Sequence, residues 1–331
     1  MQMEAELTLS RWNGKPGGIG YRRWVILSAG LRDLLGTRFF RVILILAWVA
    51  GIVTAAVGFL FTQTVSDGGW LESAAAHLGP RIHAIATALD AFVLLYPDVC
   101  IRGLFTLLFW LHSFVGVGLS MIALTVMVPR LVTRDRAGRA LTVYLSRPLT
   151  ATDYLLGKLG TIAGVLALLW TGPLLFGWLL SVLFAPDRSF FLYSLVPLLR
   201  ALSFNAIGLV ALATIALGVS AVSRSSRTTV ILWLGLWVVA GGIAKPPGTP
   251  DWIRRASFSQ DLSQVREAVF KVDEALKEAG TELPFLDRSV AMDFVQVGKK
   301  AEATDLPGAL AGLGAFVALA SIVFFRGLRS E

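Results

Sequence analysis

The sequence predicts an all-α membrane protein with six transmembrane helices, and three observations lead to that fold class. Of the 331 residues, 55% are apolar and 16% are charged, whereas soluble domains average about 45–50% apolar and about 25% charged residues. The apolar residues form long continuous runs without strand-like alternation. Lysines and arginines gather between alternate runs. Together these features exclude a soluble enzyme, a disordered chain and a disulfide scaffold.

Each of six apolar runs is long enough, or nearly so, to cross about 30 Å of hydrocarbon as a helix. Helices are expected because a chain in lipid must satisfy its backbone groups internally. The fourth run is long enough to tilt or to break near Pro197, and the fifth is short. The runs cover residues 42–63, 105–128, 159–184, 192–222, 229–244 and 308–325.

Basic residues predict the orientation of these spans. More than half of the 30 lysines and arginines lie in residues 1–41, in the loop 129–158, in the loop between spans four and five, or in the tail. Six spans put these segments on one side, and the positive-inside rule makes that side cytoplasmic. We therefore expect a multi-pass protein of the cytoplasmic (inner) membrane with both termini inside. No cleaved signal is expected, because the first apolar run follows about 40 polar and basic residues.

These assignments divide the chain into four parts. Residues 1–41 form a cytoplasmic leader with an amphipathic interfacial helix. Residues 42–244 hold transmembrane helices one to five, together with an outer loop (65–104) and a cytoplasmic loop (129–158). Residues 245–307 form an extracytoplasmic helical insert between helices five and six, and residues 308–331 form helix six and a cytoplasmic tail.

The leader is expected to form a basic amphipathic helix over residues 21–41 that lies in the lipid interface. Trp24, Arg22 and Arg23 would anchor it in the headgroup region. The alternative is a solvated leader that runs into the first span. In the outer loop, Pro80 is expected to start a further helix.

The insert is expected to contain one amphipathic helix. Its apolar residues follow a 3-4-3-4 spacing from Leu262 to Leu276, and Gly280 is expected to end it. Glu267 and Lys271 are spaced to form an i,i+4 pair. We expect this helix to pack on its own neighbours; a second subunit or an external partner bound to residues 251–306 is the alternative.

The loop 129–158 is long and patterned. It carries a basic cluster and leads into a new helix, for which Thr152 is the expected N-cap. Its charges suit a docking surface for another protein, and contact with lipid phosphates is an equal alternative. The candidate docking residues are Arg130, Arg134, Asp135, Arg136, Arg139, Arg147 and Pro148.

Residues for covalent or metal chemistry are scarce. Gly157-Lys158 lacks both the upstream glycine and the following Ser or Thr of a phosphate-binding loop, so we expect no ATP hydrolysis by this chain and no enzyme activity. The single Cys100 cannot form an internal disulfide or a thiolate cluster. The three histidines are not spaced for haem or zinc, so no cofactor or metal is expected. His112 is expected to be a hydrogen-bonded packing residue.

A transport pathway would have to be lightly polar. No acidic residue is placed near the midplane of a predicted span, which weakens an ion-coupled carrier. The two tryptophans of span five are expected to face lipid or to pack rather than to line a path. The candidate pathway residues are Thr54, His112, Ser203, Asn205, Trp233 and Trp237.

Residues 140–160 resemble the cytoplasmic loop that joins spans two and three in ABC-2 type transporter permeases. The stretch LRDLLGTRFF that begins at Leu31 is similar to the family's approach to span one. The family usually has an acidic stretch before the loop motif, and here residues 133–139 carry one acid, Asp135. The matching motif residues are Leu145, Ser146, Arg147, Pro148, Tyr154, Leu155, Leu156, Gly157 and Lys158.

The resemblance implies the membrane-spanning permease subunit of an ATP-binding cassette transporter. A second permease chain would complete a homodimer or heterodimer, and two copies of a separate ATPase subunit, which carry ATP and Mg, would dock on the loop 129–158. The lightly polar pathway favours export of a lipid, hydrophobic or amphipathic substrate. Membrane lipids are the other expected partners, and nucleic acid is not. The alternatives are an ATPase-linked scaffold for an extracytoplasmic assembly and an ion-coupled carrier.

Overall fold

All secondary structure in the described residues is helical. The computed structural model describes residues 18–65, 77, 79–133, 150–185, 187–223, 225–243, 257–282 and 305–329. Five of its helices are long and apolar enough to cross a membrane. The all-α membrane fold is therefore confirmed at this level. The fifth predicted span lies in a shorter apolar helix, so the count of six remains a prediction.

Eleven α-helices and two π-helical turns follow one another in the described part of the chain. The α-helices are α1 (Ile19–Leu35), α2 (Arg38–Val65), α3 (Pro80–Leu95), α4 (Pro97–Val128), α5 (Ala151–Leu166), α6 (Gly172–Leu183), α7 (Ser189–Val222), α8 (Ser226–Ile243), α9 (Phe258–Phe270), α10 (Val272–Glu282) and α11 (Leu306–Arg329). The π-helical turns are Pro129–Thr133, which continues α4, and Ala167–Thr171, which joins α5 to α6.

Polar contacts define one end of the bundle, which we call the base. Helices α4 and α7 both end there, and their ends are joined by a hydrogen bond from the Ser220 hydroxyl to the Val128 carbonyl at 2.8 Å. Helix α8 begins there, because the hydroxyl oxygens of Thr133 and Thr229 lie 3.1 Å apart. We call the opposite end the top.

Helices α5 and α6 together run from the base to the top, antiparallel to α7. The Asn205 amide donates to the Thr171 hydroxyl at 3.4 Å. Nearer the top, the Trp178 indole of α6 donates to the Ser194 hydroxyl of α7 at 2.9 Å. Later residues of the α5–α6 pair therefore meet earlier residues of α7.

Glycines allow α2 to approach α6 closely. Gly51 lies against Pro173, and Gly58 lies against Ser181, so the two helices run in the same direction. A Cβ atom at either glycine would overlap its neighbour. Such small residues are a usual basis for helix contacts in lipid, where no hydrophobic force drives helices together.

The third long helix is interrupted at its middle by the π-helical turn. The Gly172 N–H bonds to the Ala167 carbonyl five residues back, and Pro173 has no N–H to continue the ladder. The Trp170 carbonyl, which lies within the turn, accepts a hydrogen bond from His112 Nε2 at 3.0 Å. The prediction that His112 is a hydrogen-bonded packing residue is confirmed.

Trp170 occupies the centre of the bundle. Its indole is fully buried and fits between Gly116 of α4 and Gly208 of α7, with no room for a Cβ atom at either position. It meets the Phe204 ring edge-on, with ring centroids 5.5 Å apart. One side chain therefore joins three of the long helices.

Several predicted boundaries are wrong. The second long helix begins at Pro97 rather than near residue 105. Of the two alternatives for the fourth run, a tilt or a break near Pro197, the break does not occur: helix α7 continues through Pro197, since a helix in a bundle tolerates proline where neighbours satisfy the freed groups. Thr150, not Thr152, caps α5: it forms a capping box with Asp153, an arrangement that needs an acid three residues after the cap. The helix predicted after Pro80 is confirmed as α3.

The helix predicted in the insert is broken in two. Lys271 adopts a left-handed conformation with φ of 54°, which ends α9, and α10 continues past Gly280 to Glu282. The predicted Glu267–Lys271 pair does not form. Lys271 instead contacts Glu274 at 3.0 Å, and the Glu267 carboxylate accepts from the Trp110 indole at 3.1 Å. The expectation that the helix packs on its own neighbours is confirmed, because α9 contacts α7, α8 and α11.

Substitution at Gly116 tests the packing of Trp170 between Gly116 and Gly208. Gly116→Ala places a methyl group against the Trp170 indole, and overpacking of this kind costs about 1–3 kcal/mol. We expect the melting temperature of the detergent-solubilised protein to fall by several degrees. Gly118→Ala is the matched control, because the space around Gly118 is open and alanine favours helix there. Equal melting temperatures for the two variants would contradict this role of Trp170.

Candidate functional site

The loop predicted to dock a partner is anchored at the base on both of its sides. Its first anchor is Thr133, the last described residue before it. The Thr133 hydroxyl donates to the Ser220 carbonyl at 3.0 Å and lies beside Thr229. All three side chains are buried. Because Ser220 belongs to α7 and Thr229 to α8, this hydroxyl cluster ties the start of the loop to two helices.

The second anchor is the start of α5, where the chain leaves the loop. Asp153 Oδ2 accepts from the Thr150 hydroxyl at 2.7 Å, and the Thr150 hydroxyl accepts from the Asp153 N–H at 3.2 Å. Asp153 Oδ1 accepts from Arg23 Nη2 at 2.6 Å and from Arg23 Nε at 2.9 Å. One carboxylate therefore caps α5 and binds α1. A cap of this kind contributes about 0.5–2 kcal/mol to helix stability.

Three glycines of α5 form the surface on which α1 packs. Gly157 lies against Ile26, Gly160 against Leu27, and Gly164 against Leu31. At the first two positions a Cβ atom would overlap the α1 side chain. Gly157 belongs to the Leu-Leu-Gly-Lys stretch that resembles the permease motif. The stretch thus has a local structural role, which is to let α1 lie directly on α5.

The base therefore links the two sides of the loop to four helices. A displacement of the loop 129–158 would act on α7 and α8 through Thr133, and on α1 and α5 through Asp153. The described residues contain no group of three or more His, Cys, Asp or Glu side chains that could hold a metal ion.

Most of the predicted docking residues lie outside the described residues. Arg130 is half-buried in the π-helical turn at the end of α4. The others are Arg134, Asp135, Arg136, Arg139, Arg147 and Pro148. Among the predicted interfacial anchors, Arg23 pairs with Asp153, and Trp24 is 61% exposed. The Arg22 side chain also lies outside the described part.

The structure places the predicted pathway residues in separate packing contacts. His112 and Asn205 both contact the π-helical turn, through Trp170 and Thr171. Thr54 is buried in the contact between α2 and α6, where its hydroxyl donates to the Ala50 carbonyl. Ser203 is exposed and bonds to the carbonyl of Leu199 within its own helix.

The tryptophans of α8 pack, as expected. Trp233 is fully buried, and its indole donates to the Met121 carbonyl at 3.3 Å. Trp237 meets the Phe258 ring edge-on, with ring centroids 4.8 Å apart. Neither indole faces an open path.

Sequence reasoning missed two buried charges in α9. Asp261 is 1% exposed and lies against Gly312 of α11, and Arg266 is 7% exposed. Leu262 lies beside Gly208 in the middle of α7, and the Phe270 carbonyl accepts from Arg200 nearer the top. Helix α9 therefore runs alongside the first half of α7, at the depth of the long helices. In the sequence, the one indication of this burial was that Asp261 and Arg266 are adjacent to apolar residues of the 3-4-3-4 pattern, Leu262 and Val265.

The Arg266 guanidinium is a charge inside the protein. Arginine has so high an ordinary pKa that the side chain stays charged. The fold therefore keeps a positive charge within the bundle.

No protein-family model and no curated protein sequence matches the chain. The resemblance to ABC-2 type permeases therefore remains a prediction.

Removing the Arg23–Asp153 ion pair tests the anchor of α1. Arg23→Gln leaves the capping box intact but removes the charge pair, which is worth about 0.5–1 kcal/mol because Arg23 is 42% exposed. We expect backbone amides of α1 to exchange hydrogen about two- to fivefold faster, with little change elsewhere. Arg32→Gln, at an exposed arginine of the same helix, is the control. An exchange rate in Arg23→Gln equal to that of the control would argue against the anchor.

Proposed function

We propose that the chain is the membrane-spanning permease subunit of an ATP-binding cassette exporter. In this proposal a second permease chain completes the transporter, and two copies of a separate ATPase subunit bind ATP and Mg and dock on the loop 129–158. The observation that carries the proposal is the double anchoring of that loop, through Thr133 to α7 and α8 and through Asp153 to α1 and α5.

The anchors support a mechanical role for the loop. A loop that only connects two helices needs no tie to other elements, whereas a loop that transmits force must be held by the elements it moves. The two anchors reach four helices; of these, α7 contacts the central Trp170, and α5 leads into the π-helical turn that carries it. ATP-driven closure of the ATPase subunits would push the loop and shift these helices against one another.

The proposal places the base in the cytoplasm. The positive-inside rule supports this orientation, because the loop 129–158 and the leader are rich in arginine. With six spans, both termini would lie on that side of the inner membrane. A lipid, hydrophobic or amphipathic molecule is the proposed substrate, since the described core is mostly apolar and most of its buried polar residues are Ser and Thr.

An ion-coupled carrier is the second candidate, and Asp261 favours it. A buried carboxylate at the depth of the spans is the type of residue that carries coupling protons or sodium ions. Uptake into sealed vesicles that requires an ion gradient and no ATP would support this candidate. Uptake or efflux that stops without ATP would support the first.

Purification of the chain from its native membrane in mild detergent tests the proposed partnership. We expect a protein with a phosphate-binding loop to co-purify in a stoichiometric amount. Replacing Arg134, Asp135 and Arg136 together by alanine should abolish this co-purification and leave membrane insertion intact, because it removes the docking charges. The matched control replaces Asp251, Arg254 and Arg255, which carry the same charges in the insert. Retention of the ATPase by the loop variant would refute docking there.

A second substitution tests coupling separately from docking. Arg147→Ala combined with Pro148→Ala alters the motif that resembles the permease loop. We expect the ATPase subunit still to bind, while its stimulation by substrate falls severalfold, because the loop would no longer pass the movement on. Stimulation equal to that of the wild type would exclude a coupling role for these two residues.

A further inference from the structure

The buried arginine of α9 has hydrogen-bonding capacity that the described structure leaves unused. Arg266 is 7% exposed, and its Nε and Nη1 atoms have no hydrogen-bond partner. A buried charge that lacks hydrogen bonds is costly, so proteins normally pair it. The Nε–H and Nη1–H groups point in different directions in the plane of the guanidinium, and each can donate a charge-assisted hydrogen bond to an oxygen of a carboxylate or phosphate.

Aromatic rings pack against the guanidinium and leave its buried Nε and Nη1 atoms without a hydrogen-bond partner. Arg266 Cζ lies 3.7 Å from the centroid of the Phe114 ring and 6.0 Å from that of Phe204. Stacking of this kind holds a cation in place without using its N–H groups. The arginine is therefore positioned for an anion that approaches in the plane of the guanidinium.

The nearest carboxylate does not satisfy Arg266. Glu267 follows it directly in α9, and adjacent helical residues do not face each other. Both Glu267 oxygens accept from the Trp110 indole, at 3.1 and 3.3 Å. A second guanidinium, that of Arg200, donates to the Phe270 carbonyl at 3.4 Å, and the Phe270 ring contacts Phe204. The two arginines thus adjoin one aromatic cluster.

The site adjoins a surface that faces outward. Phe114 is 44% exposed, and its neighbours Leu111 and Val115 on α4 are 49% and 40% exposed. The Phe114 ring contacts the guanidinium and is itself part of this apolar surface. In a membrane protein the molecule that meets such a surface has a hydrocarbon chain.

We propose that Arg266, assisted by Arg200, binds the carboxylate or phosphate head of an amphiphile that reaches it from the lipid past Phe114. The hydrocarbon chain lies along Leu111 and Val115, and the head accepts charge-assisted hydrogen bonding from the guanidinium. This inference names the class of cargo, an acidic amphiphile. It rests on the proposed function for the claim that the bound molecule is exported.

Binding of radiolabelled oleate to the purified chain in uncharged detergent tests the site without any ATPase subunit. We expect saturable binding that dodecyl phosphate displaces and that dodecanol and inorganic phosphate do not. Arg266→Gln should weaken binding about tenfold or more, because it removes charged hydrogen bonds. Arg102→Gln, at a partly exposed arginine near the top, is the matched control and should bind as the wild type does.

A second variant, which should bind oleate more tightly, keeps the test decisive even if Arg266→Gln fails to fold. Glu267→Gln keeps an acceptor for the Trp110 indole but removes the negative charge beside Arg266. We expect it to bind oleate about two- to fivefold more tightly. Equal affinity in wild type and Arg266→Gln, equal displacement by dodecanol, or equal displacement by inorganic phosphate would each overturn the proposal. None of these results bears on co-purification of an ATPase, so the two proposals fail independently.

Discussion

Close approach of helices at glycine is the constraint on which the rest of the structure depends. Trp170 fits between α4 and α7 only because Gly116 and Gly208 have no side chain. The same principle brings α2 to α6 and α1 to α5. In lipid, where apolar surface is no better buried in protein than in the bilayer, contact of this kind must come from packing and from interhelical hydrogen bonds. The π-helical turn adds such a bond, since it directs the Trp170 carbonyl at His112.

Polar side chains are used sparingly and at particular depths. At the base, the hydroxyl cluster of Thr133 and the Asp153 carboxylate hold the two sides of the loop. Near the top, Arg200 and Trp110 hold α9 and its neighbours. In the middle, the π-helical turn bonds to His112 and Asn205. The polar contacts between helices described above therefore lie at the base, at this turn and near the top.

The two buried charges of α9 set this helix apart from the rest of the bundle. A charged group at the depth of the spans is costly, and it usually marks a functional site. Asp261 is placed against Gly312, and Arg266 lies over the Phe114 ring and near the Phe204 ring. The structure thus brings charges from a segment predicted to lie outside the lipid into the packing of the long helices. This placement is the reason both for the second candidate function and for the proposed amphiphile site.

The sequence by itself determined that the chain is helical and suited to a membrane, because length and hydropathy of a segment decide that locally. It also determined the packing role of His112. The cap of α5 was misplaced by two residues, although the capping box was legible in Thr150 and Asp153. The break at Lys271 and the position of α9 depended on tertiary structure alone. Those features arise from contacts between residues far apart in the chain, such as Leu262 with Gly208 and Arg266 with Phe114, and periodicity carries no information about such pairs.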